Sequence, residues 1–144
     1  MASVAANKLK YLLATGIVDF SADTFKIALM ATAYSFNKDT AHGYADVSAS
    51  ELASGNGYTT GGNTLSGVAV TEDDTDDRTE ITWSNTTWTA SSGAIGPSPG
   101  AIIYDDTVTT PVDDPIIGYI DFGSEQTQAD GGTATISSIE VRIA

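Results

Sequence analysis

Hydrophobic and polar residues alternate along this chain in short runs, and most runs end at a turn. Phe25, Ile27 and Leu29 alternate with Lys26, Ala28 and Met30, which predicts a strand with one strongly buried face. Over Thr79–Trp88 alternation resumes, with Ile81 and Trp83 sharing a face with Thr79. Ala101–Tyr104 is predicted as a short strand, and Ile116–Phe122 as another, opened by Pro115 where a missing donor is tolerated. Thr133–Ile143 closes the chain, with Ile139, Val141 and Ile143 on one face and Glu140 and Arg142 on the other. Between these runs lie turn-like stretches at Asp19–Thr24, Glu72–Arg78, Gly93–Gly100, Val112–Pro115 and Ser124–Gly132, and a longer loop-like stretch at Ala31–Asp46. Short strands with turns every ~8–12 residues predict a mainly β fold, an antiparallel β-sandwich or barrel-like domain.

Two places break the period of two. Ala5, Leu9, Leu12 and Leu13 recur at helical spacing, which predicts an N-terminal helix over Val4–Thr15, capped by Ser3 and ended by Gly16. Lys8 and Lys10 lie off that stripe, and a membrane-surface helix calls for more basic residues, so the stripe is expected to pack on the sheet. The second place is Ser48–Thr71, the corner around which the chain is organised. Ser48 and Glu51 have the spacing of a capping box, flanked by Val47 and Leu52 as a hydrophobic staple. This predicts a short helix near Ser50–Ser54, stopped by Gly55. Beyond it, glycines punctuate a run of Tyr, Thr, Leu and Val suited to a pleated surface, with Leu65, Val68 and Val70 expected to bury one side.

Composition adds constraints. At 144 residues one domain with a real core is expected, here residues 1–144 with the segment 1–16 packed on it. Nineteen acids against six bases give a net charge of −13, which opposes nucleic acid and anionic membranes, where affinity comes largely from Lys and Arg. Cysteine is absent, so neither disulfides nor thiolate metal sites enter. No secretory leader is read, because Lys8 and Lys10 interrupt the N-terminus, and no run approaches a membrane span.

Candidate chemistry is thin. Gly96-Pro97-Ser98-Pro99-Gly100 has the outline of a hydrolase elbow, but Pro99 lacks the N–H that the oxyanion needs. His42 is the only histidine, which removes most catalytic triads and every multi-histidine metal site, and it is expected on a solvated loop. Glu72, Asp73, Asp74, Asp76 and Asp77 lack the spacing of a calcium loop and are expected to form a solvated hairpin tip. Asp105, Asp106, Asp113 and Asp114 are expected to bracket a second solvated turn. The glycine stretch lacks the ending of a phosphate loop, and the Asn85 sequon is expected to be a coincidence of a strand sequence. No cofactor, metal or catalytic residue is therefore expected. Trp83, in step with Ile81, is expected in the core. Trp88, on the opposite parity, and the loop aromatics Tyr34, Phe36 and Tyr44 are the candidate interface residues; covering the core edge is the alternative for those three.

GNGYTTGGNTLSGVAVT, ITWSNTTWTASSGAI, AIIYDD and PIIGYIDFGSEQTQADGGTATI, with NKLKYLLATGIVDFSADTFKIALM before them, resemble small virion structural proteins of tailed bacteriophages over nearly the whole chain. The shared motifs are turns and strand ends, which specify a fold more than an activity. The resemblance implies a non-enzymatic capsid decoration (cement) protein. It would be assembled in the host cytoplasm, carried on the virion, and bound as a homo-oligomer, a trimer, to the major capsid protein. A tail, neck or head-fibre component is the nearest alternative, and a carbohydrate-binding module using Trp88 and loop tyrosines is the alternative of another class.

Overall fold

The computed structural model describes residues 2–144. In chain order the elements are β1 (Ala2–Ala5), α1 (Asn7–Ala14), β2 (Phe25–Leu29), β3 (Asn63–Thr64), β4 (Ala69–Asp73), β5 (Arg78–Trp83), β6 (Thr86–Thr89), β7 (Ile95–Asp105), β8 (Ile116–Gln128), β9 (Thr133–Ile136) and β10 (Ile139–Ile143). Five strands form the central sheet in the order β1-β8-β7-β2-β3. Two smaller sheets, β10-β5-β4 and β6-β9, pack against it. All pairings are antiparallel. The protein is mainly β and sandwich-like, with its helix near the N-terminus, as the alternation predicts.

The central sheet is buried on both faces, by different material. On one face Phe25, Ile27, Ile103 and Ile117 meet Ile81, Trp83, Ile136 and Val141 from the smaller sheets and Leu9 and Leu12 from α1. On the other, Ala28, Met30, Ile102, Tyr104 and Tyr119 are covered by Tyr34, Phe36 and Tyr44 of the long 31–47 loop. Strands enclosed on both sides have no polar face to show, so Ala101–Tyr104 and Ile116–Ile120 read as continuous apolar runs. β2 follows the same rule: Phe25, Ile27 and Leu29 enter one core, Ala28 enters the other, and only Lys26 stays half-exposed.

Several expectations are corrected. The helix begins at Asn7, not Val4, and its N-cap Ala6 offers no side-chain bond. Ser3 does not cap it; Ser3 lies in β1, opposite Ile120. The physical reason is the edge of β8, whose backbone groups at Gly118–Asp121 are paired by Ala2–Ala5. Gly118 makes that approach possible, since a Cβ there would lie 2.7 Å from the Val4 carbonyl oxygen. Gly16 does end the helix, at φ +69°. No helix forms near Ser50–Ser54: Ser48–Ser50 makes one 3-10 turn and Glu51 is extended. Gly93–Gly100 and Ser124–Gly132 are not simply loops. β7 starts at Ile95 and β8 runs to Gln128, paired through register shifts around Pro97 and Pro99, where bulges accommodate residues without an N–H. Leu65 is buried, but Val70 is 54% exposed because β4 is the outer strand of its sheet.

Gly62 holds the tightest approach in the frame. Its φ is +72°, and a Cβ there would sit 1.8 Å from the Ile27 carbonyl oxygen, where β3 meets β2. Gly131 has a similar φ of +82° but open space around it. Gly131→Ala is expected to cost about 1 kcal/mol from backbone strain alone, and Gly62→Ala at least about 2 kcal/mol more, because backbone must move. Denaturant midpoints of the two variants check this; equal losses would mean that β3 is not seated as described.

Candidate functional site

The corner at Ser48–Gly62 is built around a buried acid. Because Glu51 is extended, its side chain turns inward and is only 9% exposed. The Tyr58 hydroxyl donates to its carboxylate at 2.6 Å and the Gly61 amide at 2.7 Å, and the Tyr44 hydroxyl donates as well. The Tyr58 oxygen in turn accepts from the Leu29 amide at 2.9 Å, tying the cluster to β2. Tyr44 stacks on Tyr104 with ring centroids 4.5 Å apart, and the Tyr104 hydroxyl donates to the Gly61 carbonyl at 2.7 Å. Burial, and then the bond to Glu51, push the Tyr44 and Tyr58 phenols well above their ordinary range. They remain neutral donors, and the cluster holds the corner's backbone in place. The capping box is thus absent in form: Ser48 Oγ donates to Ala45 O at 3.4 Å, and Glu51 serves the interior.

The structure separates the candidate interface residues. Tyr34 and Phe36 come together, both half-buried against Tyr119, at centroid distances of 5.6 and 5.4 Å. With Val4, Pro99 and Asp121 they wall an open groove of about 600 Å³. Burial raises the Tyr34 and Tyr119 phenols to about 12. Tyr44 is half-buried beside Tyr104 in the same cover layer. All three rings cover the second core, the alternative reading above. Trp88 is a correction: it is 5% exposed and lies in the other core, its ring centroid 5.8 Å from that of Tyr58. Counting parity from Trp83 fails because Ser84 and Asn85 separate β5 from β6, and within β6 the buried residues are Thr86 and Trp88. Trp83 is in the core, as expected.

Other motif residues have internal partners. Ser98 is buried within β7 and its hydroxyl donates to the Gly100 carbonyl at 3.0 Å. His42 is exposed, with Nε2 3.0 Å from the Asp39 carbonyl oxygen. The acidic tip is organised by Arg78, whose guanidinium lies 3.2 Å from Asp73, 3.0 Å from Asp76 and 2.6 Å from Glu80. Among the described residues, no three or more His, Asp or Glu side chains gather in a metal-binding arrangement, and no helix is long and apolar enough to cross a membrane.

Asp105 is the residue that turn chemistry misplaces. It is fully buried rather than solvated. Its Oδ1 accepts from the Thr107 amide at 2.8 Å and the Val108 amide at 3.3 Å, while Oδ2 has no donor. Burial, and next the neighbouring Asp23 carboxyl, raise Asp105 from 3.8 to about 6. The signal was present: Asp105 lies two residues beyond Ile103 and so points to the same core. Comparison with known proteins found no matching family, no similar curated sequence and no similar solved structure.

Two outcomes follow from these acids. Tyr58→Phe removes the donor to Glu51 and the acceptor for the Leu29 amide, and is expected to cost about 2–4 kcal/mol because buried groups are left unpaired. Ser48→Ala is expected to stay within about 0.5 kcal/mol, as for ordinary surface changes; urea unfolding of both separates the inward-acid reading from a helix cap. For Asp105 the folded value lies above the unfolded one, so its stabilising contribution is full below about pH 4 and is lost as pH rises through about 6. Asp105→Asn keeps an acceptor for both amides and gives Asp23 a permanent donor. It is expected to be more stable than the parent at pH 7, by on the order of 1–3 kcal/mol, with the difference vanishing near pH 4. Thermal unfolding across pH 4–7 checks the sign.

Proposed function

We propose that this chain is a non-enzymatic structural protein that works by attachment, and specifically a capsid decoration protein of a tailed bacteriophage, bound to the major capsid protein as a trimer. The observation that carries the attachment reading is the open groove of about 600 Å³ beside Tyr34 and Phe36. Two half-buried aromatic rings, Pro99 and the 39%-exposed Val4 give it an apolar part, set among Lys38, Asp39 and Asp121, on a chain of net charge −13. Half-buried aromatics at a concave edge are the material of interface hot spots. The resemblance of the turn and strand-end motifs to small virion proteins supports the phage assignment. The acidic balance fits an exterior position, away from packaged DNA. The side chains with chemical potential support a non-enzymatic role, because Glu51, Ser98 and the phenols of the corner are engaged in internal bonds.

A chain this small presents a modest footprint, whereas a standard stable interface buries about 1,600 Å². Several linked copies add their contacts through effective concentration, which favours an oligomer at a local symmetry axis. Self-contact between chains of this charge has to be apolar and specific, so it should persist at high salt, where repulsion is screened.

Capsid shells lacking the protein provide the test. The purified chain is expected to co-sediment with such shells, to raise their thermal rupture temperature, and to sediment as a trimer at high salt. The Val4→Glu variant, at an exposed position on the groove wall, is expected to remain folded and to bind at least tenfold more weakly. Attachment to purified tails but not to shells would move the protein elsewhere on the particle. Attachment to neither would reject the reading.

A further inference from the structure

The connection between β7 and β8 contains a strained peptide bond. Of the four prolines in the chain, Pro115 is the one preceded by an aspartate. A residue before proline favours extended backbone, at φ of about −120°, because the pyrrolidine ring crowds it. Asp114 instead sits at φ +46°, in the left-handed region where a non-glycine residue is strained. It is held there from both sides. Its amide donates to the Val108 carbonyl at 2.9 Å, and its own carbonyl accepts from the Tyr44 amide at 2.9 Å. Pro115 is buried and bridged to Gly43, and its carbonyl accepts from the Asp105 amide at 3.0 Å. The packing against this turn is tight, since a Cβ on Gly43 would lie 2.6 Å from the Asp113 carbonyl oxygen.

Each feature acts on the bond between Asp114 and Pro115. The Tyr44 N–H polarises the carbonyl that a nucleophile would attack, as an oxyanion donor does. The proline nitrogen, a tertiary amide, takes up a proton more readily than other peptide nitrogens and so leaves more readily. The nucleophile is built in, because the Asp114 carboxyl is half-buried and no hydrogen bond holds it among the described residues. Burial, then the charges of Asp113 and Asp106, raise that carboxyl above its ordinary range, against the pull of Lys26. The Tyr44 and Tyr104 phenols also face it and stay neutral. We propose that the Asp114–Pro115 bond is an acid-dependent self-cleavage site. A carboxyl oxygen of Asp114 attacks the main-chain carbonyl carbon of the same residue and closes a ring. The carboxyl proton passes to the Pro115 nitrogen, and the C–N bond breaks with its electron pair on that nitrogen. Water then opens the resulting cyclic anhydride to the two carboxyls of a C-terminal Asp114. Fragments 1–114 and 115–144 remain assembled, because β8 lies between β1 and β7 in the central sheet. The inference does not depend on where, or whether, the chain is attached to a particle.

The unfolded chain supplies the reference, because it keeps the same bond without the strain or the Tyr44 contact. The experiment holds the full chain at 37 °C across pH 3–7, folded or in denaturing urea, and follows intact mass over days. At pH 5 the folded protein is expected to yield the two fragments at least about tenfold faster than the unfolded chain, because strain is released only in the folded reaction. The step uses the protonated carboxyl, so the rate is full in acid and falls as pH rises through the folded carboxyl's range. The midpoint of that fall is expected at a higher pH than in urea. Asp114→Asn, which removes the carboxyl, and Pro115→Ala, which removes the proline nitrogen, are each expected to slow cleavage at least about tenfold. The proposal is overturned if the folded chain is cleaved no faster than the unfolded one, or if bonds at other aspartates break as fast. It is also overturned if the rate does not rise in acid, or if Asp114→Asn is cleaved like the parent.

Discussion

The structure hangs on a carboxylate held out of water. Glu51 carries the charge of a surface residue into a place where only paired groups are tolerated, and it is accepted because Tyr44, Tyr58 and the Gly61 amide all donate to it. The donors link the corner to different parts of the fold. Tyr44 comes from the loop over the second core, Tyr58 reaches the Leu29 amide of β2 and the Trp88 ring of the main core, and Gly61 precedes β3. One side chain thereby joins the two cores through the sheet that divides them. Removing one donor does more than delete a bond, because the charge stays buried with fewer partners.

That joint explains how a long loop can serve as a layer. The 31–47 segment has little regular structure, yet its aromatic rings lie on Tyr104 and Tyr119 and close the second face of the central sheet. Its backbone is tied at its middle and near its end: the Asn7 amide donates to the Lys38 carbonyl, and the Tyr44 amide donates to the Asp114 carbonyl. The same loop shapes the groove beside Val4. Attachment surface and core cover are therefore one object, and a change that loosens the cover also alters the outer face.

What the sequence made legible follows from the range of each interaction. Alternation is local, so Phe25–Leu29, Ile81 with Trp83, and Ile139 with Val141 could be placed by eye, as could the hairpin tip at Glu72–Arg78. Two-sided burial left its mark too, in the unbroken apolar runs of β7 and β8. Local signals misled where a distant partner outweighed them. Ser48 and Glu51 have helix-cap spacing, but the donors Tyr58 and Gly61 lie seven and ten residues on and draw the carboxylate inward. Ser3 and Val4 suit a helix start, yet the open edge of β8 takes them. Pro97, Pro99 and Gly100 suggest a loop, and bulges let them stay in a strand. For the candidate residues, parity worked within a strand and failed across the break that precedes Trp88.

The pairing of β1 also bears on how the protein is made. Ala2–Ala5 finds its register against Gly118–Asp121, and Phe25–Leu29 lies between Ala101–Asp105 on one side and the two residues of β3 on the other. During translation the first strands leave the ribosome with no neighbour, and they wait while most of the chain is synthesised. The β8 and β7 residues that pair with β1 and β2 lie far along the part of the chain still to be made, so these pairings are long-range. Such long-range closure slows folding and leaves early strands open to capture by chaperones or by other nascent chains.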